Sequence, residues 1–357
     1  MLTSNDPRDL DGKRLQQAMQ TLGRDPALRA RMIALLQASE GQIACDGSVR
    51  DDVVGPIIDA LHLDTDQYEK VLADGTRFQF LYRTKIARDF LLSEVEHPTH
   101  VWEPQTTKLL LELGRDLEGD VVVGGAYFGD QAILVARQLT GRDLRVHCFE
   151  PNPQQAHMLQ CNVDINHLNN VMVNLAGLWS HSGERMRLDG FDSFANMVTA
   201  QDGSGFDTVT IDDYAQQQGR RIGLIQLDIE GAELSALQGA RQVLARDKPF
   251  VIFELHRTYV DWSNGLGATP LCHLFLDLGY TVFAVRDINS HREMPGQPIE
   301  LVPLESVYLD GPPHGFNMLA VPDAARVQGS AFRIVDGVSP KLLPHKAAHL
   351  HHPLGGF

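Results

Sequence analysis

From about Gln105 onward the chain alternates segments of helical spacing with short β-branched runs, and no other feature limits its fold as strongly. Such alternation is the pattern of βαβ units, in which crossover helices cover a parallel sheet. The predicted strands are 120–124, 144–149, 171–174, 223–228, 250–255 and 280–285. A seventh, 315–321, follows a loop rich in Pro and Gly, 294–313, with no helix between them. A parallel return needs a crossover of about a dozen residues or more, so this last strand is expected to run antiparallel.

Residues 1–100 lack the alternation. Leu28, Met32, Leu35 and Leu36 share one helical stripe, and Asp25-Pro26 is a helix start. Segments 53–63 and 76–92 repeat helical spacing around the turns Asp46-Gly47 and Asp74-Gly75. An all-helical accessory domain, a cap or a homodimer surface, is therefore expected over 1–100. An α/β domain follows over 101–325, with a hairpin over the sheet edge within 177–206 and a helix over 233–245. The tail, 326–357, carries Pro340, Pro344, Pro353 and the pair Gly355-Gly356, and is read as irregular.

The formal charge of −15 over 357 residues disfavours a nucleic-acid backbone or an anionic membrane as partner, because both need concentrated Lys and Arg. The opening MLTSNDPRDL lacks the basic start and apolar core of a signal peptide, and no apolar run approaches the roughly 20 residues that span a bilayer. A cytoplasmic protein is expected. Cys45, Cys148, Cys161 and Cys272 form no C-x-x-C pair, so they are read as small core residues.

Three motifs carry chemistry. The loop Gly124-Gly125-Ala126-Tyr127-Phe128-Gly129 follows the first strand, where glycine lets backbone N–H groups approach a ligand at the start of the next helix. Glu150 ends the second strand, 21 residues beyond Gly129, where a carboxylate can accept from both ribose hydroxyls of an adenosine ligand. In Phe149-Glu150-Pro151-Asn152 the proline stops the strand and fixes where the acid points. The third motif is Gln226-Leu227-Asp228-Ile229-Glu230-Gly231-Ala232-Glu233, which places Asp228 beyond the carboxyl end of a strand, where open α/β sheets bind ligands. Glu230 and Glu233 also suit a helix N-terminus. Read differently, Gly124, Ala126 and Gly129 make a degraded G-x-A-x-x-G fingerprint, so an NAD(P)-dependent oxidoreductase remains an alternative.

With Thr208 to Asp213 upstream and Phe253-Glu254-Leu255-His256 downstream, the third motif resembles the FkbM family of S-adenosylmethionine (SAM) dependent methyltransferases. The resemblance runs from about Trp102 to Pro322. It implies a Rossmann-like class I methyltransferase fold, seven-stranded and mostly parallel with the last strand antiparallel. It also implies SAM as cofactor and transfer of a methyl group to a hydroxyl of a small molecule, a sugar or glycan, or a polyketide-type natural product. Gly125, Ala126 and Gly129 match the first motif of the family, but Val123 stands where an Asp usually orients the methionine amino group. By similarity Tyr127 and Gln131 contact the cofactor, Glu150, Pro151 and Asn152 serve its ribose, and Asn174, Ala176 and Gly177 its adenine. Asn174 could equally just end a strand, with Ala176-Gly177 as a turn. A non-catalytic SAM-binding scaffold is the further alternative that Val123 suggests.

Methyl transfer to a hydroxyl needs a group that takes its proton. His256, just past the fifth strand, is the expected general base. Glu254 and His256 alternate along the strand and share a face, so Asp228, Glu254 and His256 form a candidate catalytic cluster. The same set suits a divalent metal, which is not the favoured reading, and His345, His349, His351 and His352 in the tail are read as solvated rather than as metal ligands.

Overall fold

The computed structural model describes residues 7–93, 102–190, 195–200, 205–289, 294–309 and 315–356. The first six residues and the expected domain boundary near 100 lie outside that set. The chain divides into two compact units, Met1–Lys70 with Phe80–Ser93, and Val71–Gln79 with Glu94–Phe357.

The first unit contains helices α1 (Pro7–Gly23), α2 (Pro26–Ser39), α3 (Gly55–Asp59) and α4 (Lys85–Leu92). Asp25 caps α2 by accepting from the N–H groups of Ala27 and Leu28. Ile33, Val54, Ile58 and Leu61 form its small core. The expectation of an all-helical region is corrected by a two-stranded sheet, β1 (Gln67–Val71) and β2 (Arg77–Leu81). The alternating pattern of Arg77-Phe78-Gln79-Phe80-Leu81 buries both phenylalanines, a period of two that overrides the helical spacing read over 76–92. Gly75 supplies the positive φ of the turn at 83°.

The second unit is built on α5 (Pro104–Gly114), β3 (Asp120–Gly124), α6 (Ala132–Gln138), β4 (Val146–Phe149), α7 (Pro153–Ile165) and β5 (Val171–Asn174). There follow β6 (Gly177–Leu178), β7 (Arg185–Asp189), β8 (Asn196–Thr199), β9 (Phe206–Val209), α8 (Ile211–Gln218) and β10 (Ile222–Leu227). The chain closes with α9 (Glu233–Gln238), α10 (Arg241–Arg246), β11 (Phe250–Leu255), α11 (Pro270–Asp277), β12 (Thr281–Val285), β13 (Ile299–Pro303), β14 (Phe316–Val321), β15 (Phe332–Ile334) and α12 (Ala348–His351).

The main sheet runs β15-β13-β12-β14-β11-β10-β3-β4-β5. β3, β4, β5, β10 and β11 pair in parallel, and β14 lies antiparallel between β11 and β12, in line with the expected direction of the last main strand. β3 is buried throughout, as a parallel strand covered on both faces must be. The second sheet, β6-β9-β7-β8, includes the β7–β8 hairpin within 177–206.

Other expectations change. The main sheet has nine strands rather than seven, because β13 forms inside the Pro- and Gly-rich loop over 294–313 and β15 adds an edge strand from the tail, pairing in parallel with β13. The helix expected over 233–245 breaks into α9 and α10 at Gly239, where a Cβ would lie 2.2 Å from the carbonyl oxygen of Trp179. The tail is ordered by the fully buried Arg286, which ion-pairs with Glu300 and donates to the carbonyls of Ser339 (2.9 Å), Leu350 (3.1 Å) and His352 (2.9 Å). Burying that guanidinium is tolerable because its hydrogen bonds are satisfied. Of the cysteines, Cys148 and Cys272 are buried, while Cys45 is exposed and Cys161 half-buried.

Candidate functional site

The strand order reverses at β3: the chain leaves it on one side for β4 and β5 and later returns on the other as β10 and β11. That switch point opens a crevice beyond the carboxyl ends of the strands. Gly125 turns the chain there with φ of 73°, and its N–H and that of Ala126 both donate to the carbonyl of Phe149, at 3.0 and 3.2 Å. A Cβ on Gly125 would lie 1.8 Å from the carbonyl oxygen of Asp228, so only glycine fits between β3 and the loop after β10. Helix α6 follows the loop, starting at Ala132.

Glu150 is 7% exposed and pinned at both oxygens: Oε2 accepts from the Tyr127 N–H (2.8 Å) and Oε1 from the Asn152 N–H (2.9 Å). The loop after β3 and the loop after β4 are thus tied to one carboxylate. Tyr127 itself is buried and holds a positive φ of 48°. Asn152 caps α7 through its side chain, accepting from Gln154 and Gln155, and Pro151 precedes it half-buried. The Asn174 amide donates to the carbonyls of Cys148 (3.0 Å) and Met172 (3.2 Å), Ala176 follows half-packed against the core, and Gly177 opens β6.

Two glutamines complete this wall. Gln226 stands in register with Val123 on the neighbouring strand, and its Nε2 donates to Oε1 of the buried Gln131. The Gln226 Oε1 is buried and has no hydrogen-bond partner among the described residues. A buried orphan acceptor costs about 1–3 kcal/mol, so its retention points to a ligand donor. Its signal in the sequence is one amide in an otherwise apolar strand, Ile222-Gly223-Leu224-Ile225-Gln226-Leu227.

On the other wall, carboxylate oxygens of Asp228, Glu230 and Glu254 lie within 4.8 Å of one another. Glu233 holds the intervening loop, accepting from Ile229 N–H (2.9 Å) and Gly231 N–H (3.1 Å). Burial pushes its carboxyl up to about 7. Burial, then the Glu254 charge, raises Asp228 well above the carboxylate range, and burial with the Glu230 charge does the same to Glu254. Asp130 is raised to about 7 by burial and by Glu103. Glu103 accepts from Asn317 Nδ2 at 2.7 Å, and Asn317 pairs across the sheet with Glu254. Glu103 and Asn317 are site residues the motifs did not mark, because long-range pairing brings them in, whereas Glu230 stands inside the third motif and joins the carboxylate group rather than serving only a helix N-terminus.

His256 is absent from that carboxylate group. Its Nδ1 accepts the Thr258 N–H at 3.1 Å, and burial together with Lys341 lowers its basicity. With Nδ1 so occupied, the neutral ring carries its proton on Nε2 and presents a donor. Asp228, Glu230 and Glu254 are the residues that could hold a hard divalent cation through oxygen. In the tail, His351 and His352 are instead bound to the carbonyls of Lys341 and Pro344, each at 3.2 Å.

No helix among the described residues is long and apolar enough to cross a membrane. No curated protein matches the chain. Among solved structures, a methyltransferase FkbM from Methylobacillus flagellatus KT is 20% identical, with a TM-score of 0.33 over 57% of this chain and 43% of that one. The chain thus spans less than half the length of that relative. A precorrin-6y C5,15-methyltransferase from Geobacter metallireducens GS-15 is 15% identical (TM-score 0.34, covering 62% and 89%), and M. jannaschii TYW2 in complex with AdoMet is 12% identical (0.37, covering 72% and 87%). Over residues 124–282 the sequence matches the model of the methyltransferase FkbM domain, the stretch that holds the glycine loop, Glu150, Gln226, Asp228 and Glu254. The chain is thus similar over residues 124–282 to the methyltransferase FkbM domain.

Proposed function

We propose that the protein is a SAM-dependent methyltransferase acting on a hydroxyl of a small-molecule, sugar or natural-product acceptor. The observation that carries this reading is Glu150, held at both oxygens beside the glycine loop where two ribose hydroxyls would be received. The antiparallel β14 and the Asp228–Glu230–Glu254 group have no role in a nicotinamide site, which disfavours the oxidoreductase alternative.

The residues present fit a cofactor that is a cation with a free amino-acid end. Gln226 Oε1 is the orphan acceptor, and it lies beside Val123, so an amide on the next strand takes the place of an acid on β3 in receiving the ammonium. The surrounding carboxylates favour positive charge. When bound, SAM supplies an electrophilic methyl group on its sulfonium. One of Asp228 and Glu254, whose basicity burial and the neighbouring carboxylates raise, takes the proton of the acceptor hydroxyl. His256 Nε2–H donates to the acceptor and orients it, a positioning role for the residue first expected to be the base. A divalent cation on the same three carboxylates is the second reading, favoured by their mutual approach.

Calorimetry tests the proposal. S-adenosylhomocysteine should bind and NADH should not, and Glu150→Ala should weaken binding by about 100-fold, the loss of two charge-assisted hydrogen bonds. Gln226→Leu should weaken S-adenosylhomocysteine but leave 5′-methylthioadenosine, which lacks the amino-acid end, unchanged. A chain that binds neither adenosyl ligand is not a SAM enzyme. A screen of hydroxylated acceptors with labelled SAM, with and without chelator, then separates the carboxylate route from the metal route.

A further inference from the structure

Away from this crevice, one face of α5, the start of β13 and the edge strand β15 line a cleft of about 540 Å³, within the range that takes small organic ligands. Its lining holds three cations, Lys108, Arg115 and Arg333, against one carboxylate, Glu112. In a chain of net charge −15 such a surplus is local and unusual.

Only one of the three cations, Arg115, has a carboxylate of its own. Lys108 Nζ donates to the carbonyls of Met294 and Gln297, and no carboxylate lies within 4.0 Å of it among the described residues. Burial pushes its ammonium below the usual range, with only Asp287 acting against the shift. Arg115 meets Glu112 through Nη1 alone, at 3.0 and 3.2 Å to its two oxygens. Arg333 reaches Glu300 through Nη1 at 3.4 Å, and Glu300 already neutralises the buried Arg286. The remaining nitrogens of both guanidinium groups have no partner among the described residues. Two positive charges are left over, the charge of a phosphate monoester dianion rather than of a single carboxylate. Guanidinium forks match phosphate oxygens in pairs. Leu111, Pro298 and Phe332 supply an apolar wall next to the cations, and the volume far exceeds one phosphate group.

We propose that this cleft binds a small phosphorylated organic molecule, with its phosphoryl group on Arg115, Arg333 and Lys108 and its body against Leu111, Pro298 and Phe332. The site is separate from the proposed methyl-transfer crevice, so its occupancy does not depend on the methyltransferase reading.

The test is calorimetry on the full chain with glucose 6-phosphate, glucose and inorganic phosphate as probes. Glucose 6-phosphate should bind, glucose should not, and inorganic phosphate should bind more weakly than the sugar phosphate. Arg115→Ala combined with Arg333→Ala should weaken glucose 6-phosphate by about tenfold or more, as expected for removing two charge-assisted contacts. Both side chains are substantially exposed, so the double variant should keep its melting temperature and its affinity for S-adenosylhomocysteine. Glucose binding as tightly as its phosphate, or full affinity in the double variant, would overturn the proposal. Inorganic phosphate binding as tightly as the sugar phosphate would overturn the apolar wall as part of the site.

Discussion

The two ends of the central strands carry similar side chains in opposite electrostatic states. At the amino end, Asp120 on β3 accepts from His147 Nε2 (2.9 Å), from Arg220 at both oxygens (2.6 and 3.0 Å) and from the Arg145 N–H (3.0 Å). Tyr214 closes the set through His147 Nδ1 at 3.0 Å. Burial pushes the Asp120 carboxyl up, but these donors outweigh it and hold it below the usual range. At the carboxyl end, Asp228 and Glu254 face other carboxylates and are raised. An acid beside a histidine is therefore no mark of a site by itself. The satisfied cluster is structural, and the one left electrostatically frustrated is where a cationic ligand belongs.

The largest effect should come from breaking the satisfied end. Asp120→Ala leaves His147 and Arg220 without their carboxylate and should cost about 3–5 kcal/mol in urea unfolding, while S-adenosylhomocysteine affinity is kept. Asp228→Asn should do the reverse, raising stability by about 0.5–2 kcal/mol and abolishing methyl transfer, since it relieves repulsion at a functional position. If Asp228→Asn destabilised as Asp120→Ala does, the contrast between the two ends would collapse.

The pH response sharpens it further. Asp130 is raised from 3.8 to about 7, so the folded state binds its proton more tightly than the unfolded state does, and its contribution to stability falls as pH rises through that window. Asp120 is lowered, so its contribution is present above 3.8 and is lost as pH falls through its folded value. The melting temperature of Asp130→Asn relative to the parent should thus climb between pH 4 and pH 7, roughly the titration range of the raised carboxyl. A difference that stays flat would place Asp130 outside the frustrated group. The smallest change is Tyr259→Phe, which removes a long 3.3 Å hydrogen bond to Glu230 and should alter stability by less than about 1 kcal/mol.

Much of the fold was legible in the sequence because strand and helix periods are local. Each of the seven expected strands lies within a few residues of its place, and the antiparallel β14 follows from connection length. The failures share a cause. Phe78, Leu81 and Tyr82 also fit helical spacing, so residues 76–92 read as helix until the burial of Phe78 and Phe80 on one face selects a strand. The tail reads as irregular because its order comes from Arg286, some 50 to 66 residues away in sequence. For the site, glycine, acid and strand end were visible in the loop at 124–129, at Glu150 and at Asp228. Gln226 and Glu230 stood inside the third motif without a site role, and Glu103 and Asn317 were not marked at all, since a single amide or acid carries no pattern of its own.

The sequence by itself determined the alternation that makes the sheet, the glycine without which Gly125 could not pass Asp228, and the acids at the strand ends. Tertiary structure decided which of them meet. Register set Gln226 beside Val123, the antiparallel insertion of β14 brought Asn317 and Glu103 to Glu254, and the Thr258 N–H turned His256 from an acceptor into a donor. The physical reason is range: backbone conformation follows from neighbours along the chain, whereas protonation, burial and unpaired hydrogen-bonding capacity depend on groups that only the folded sheet brings together.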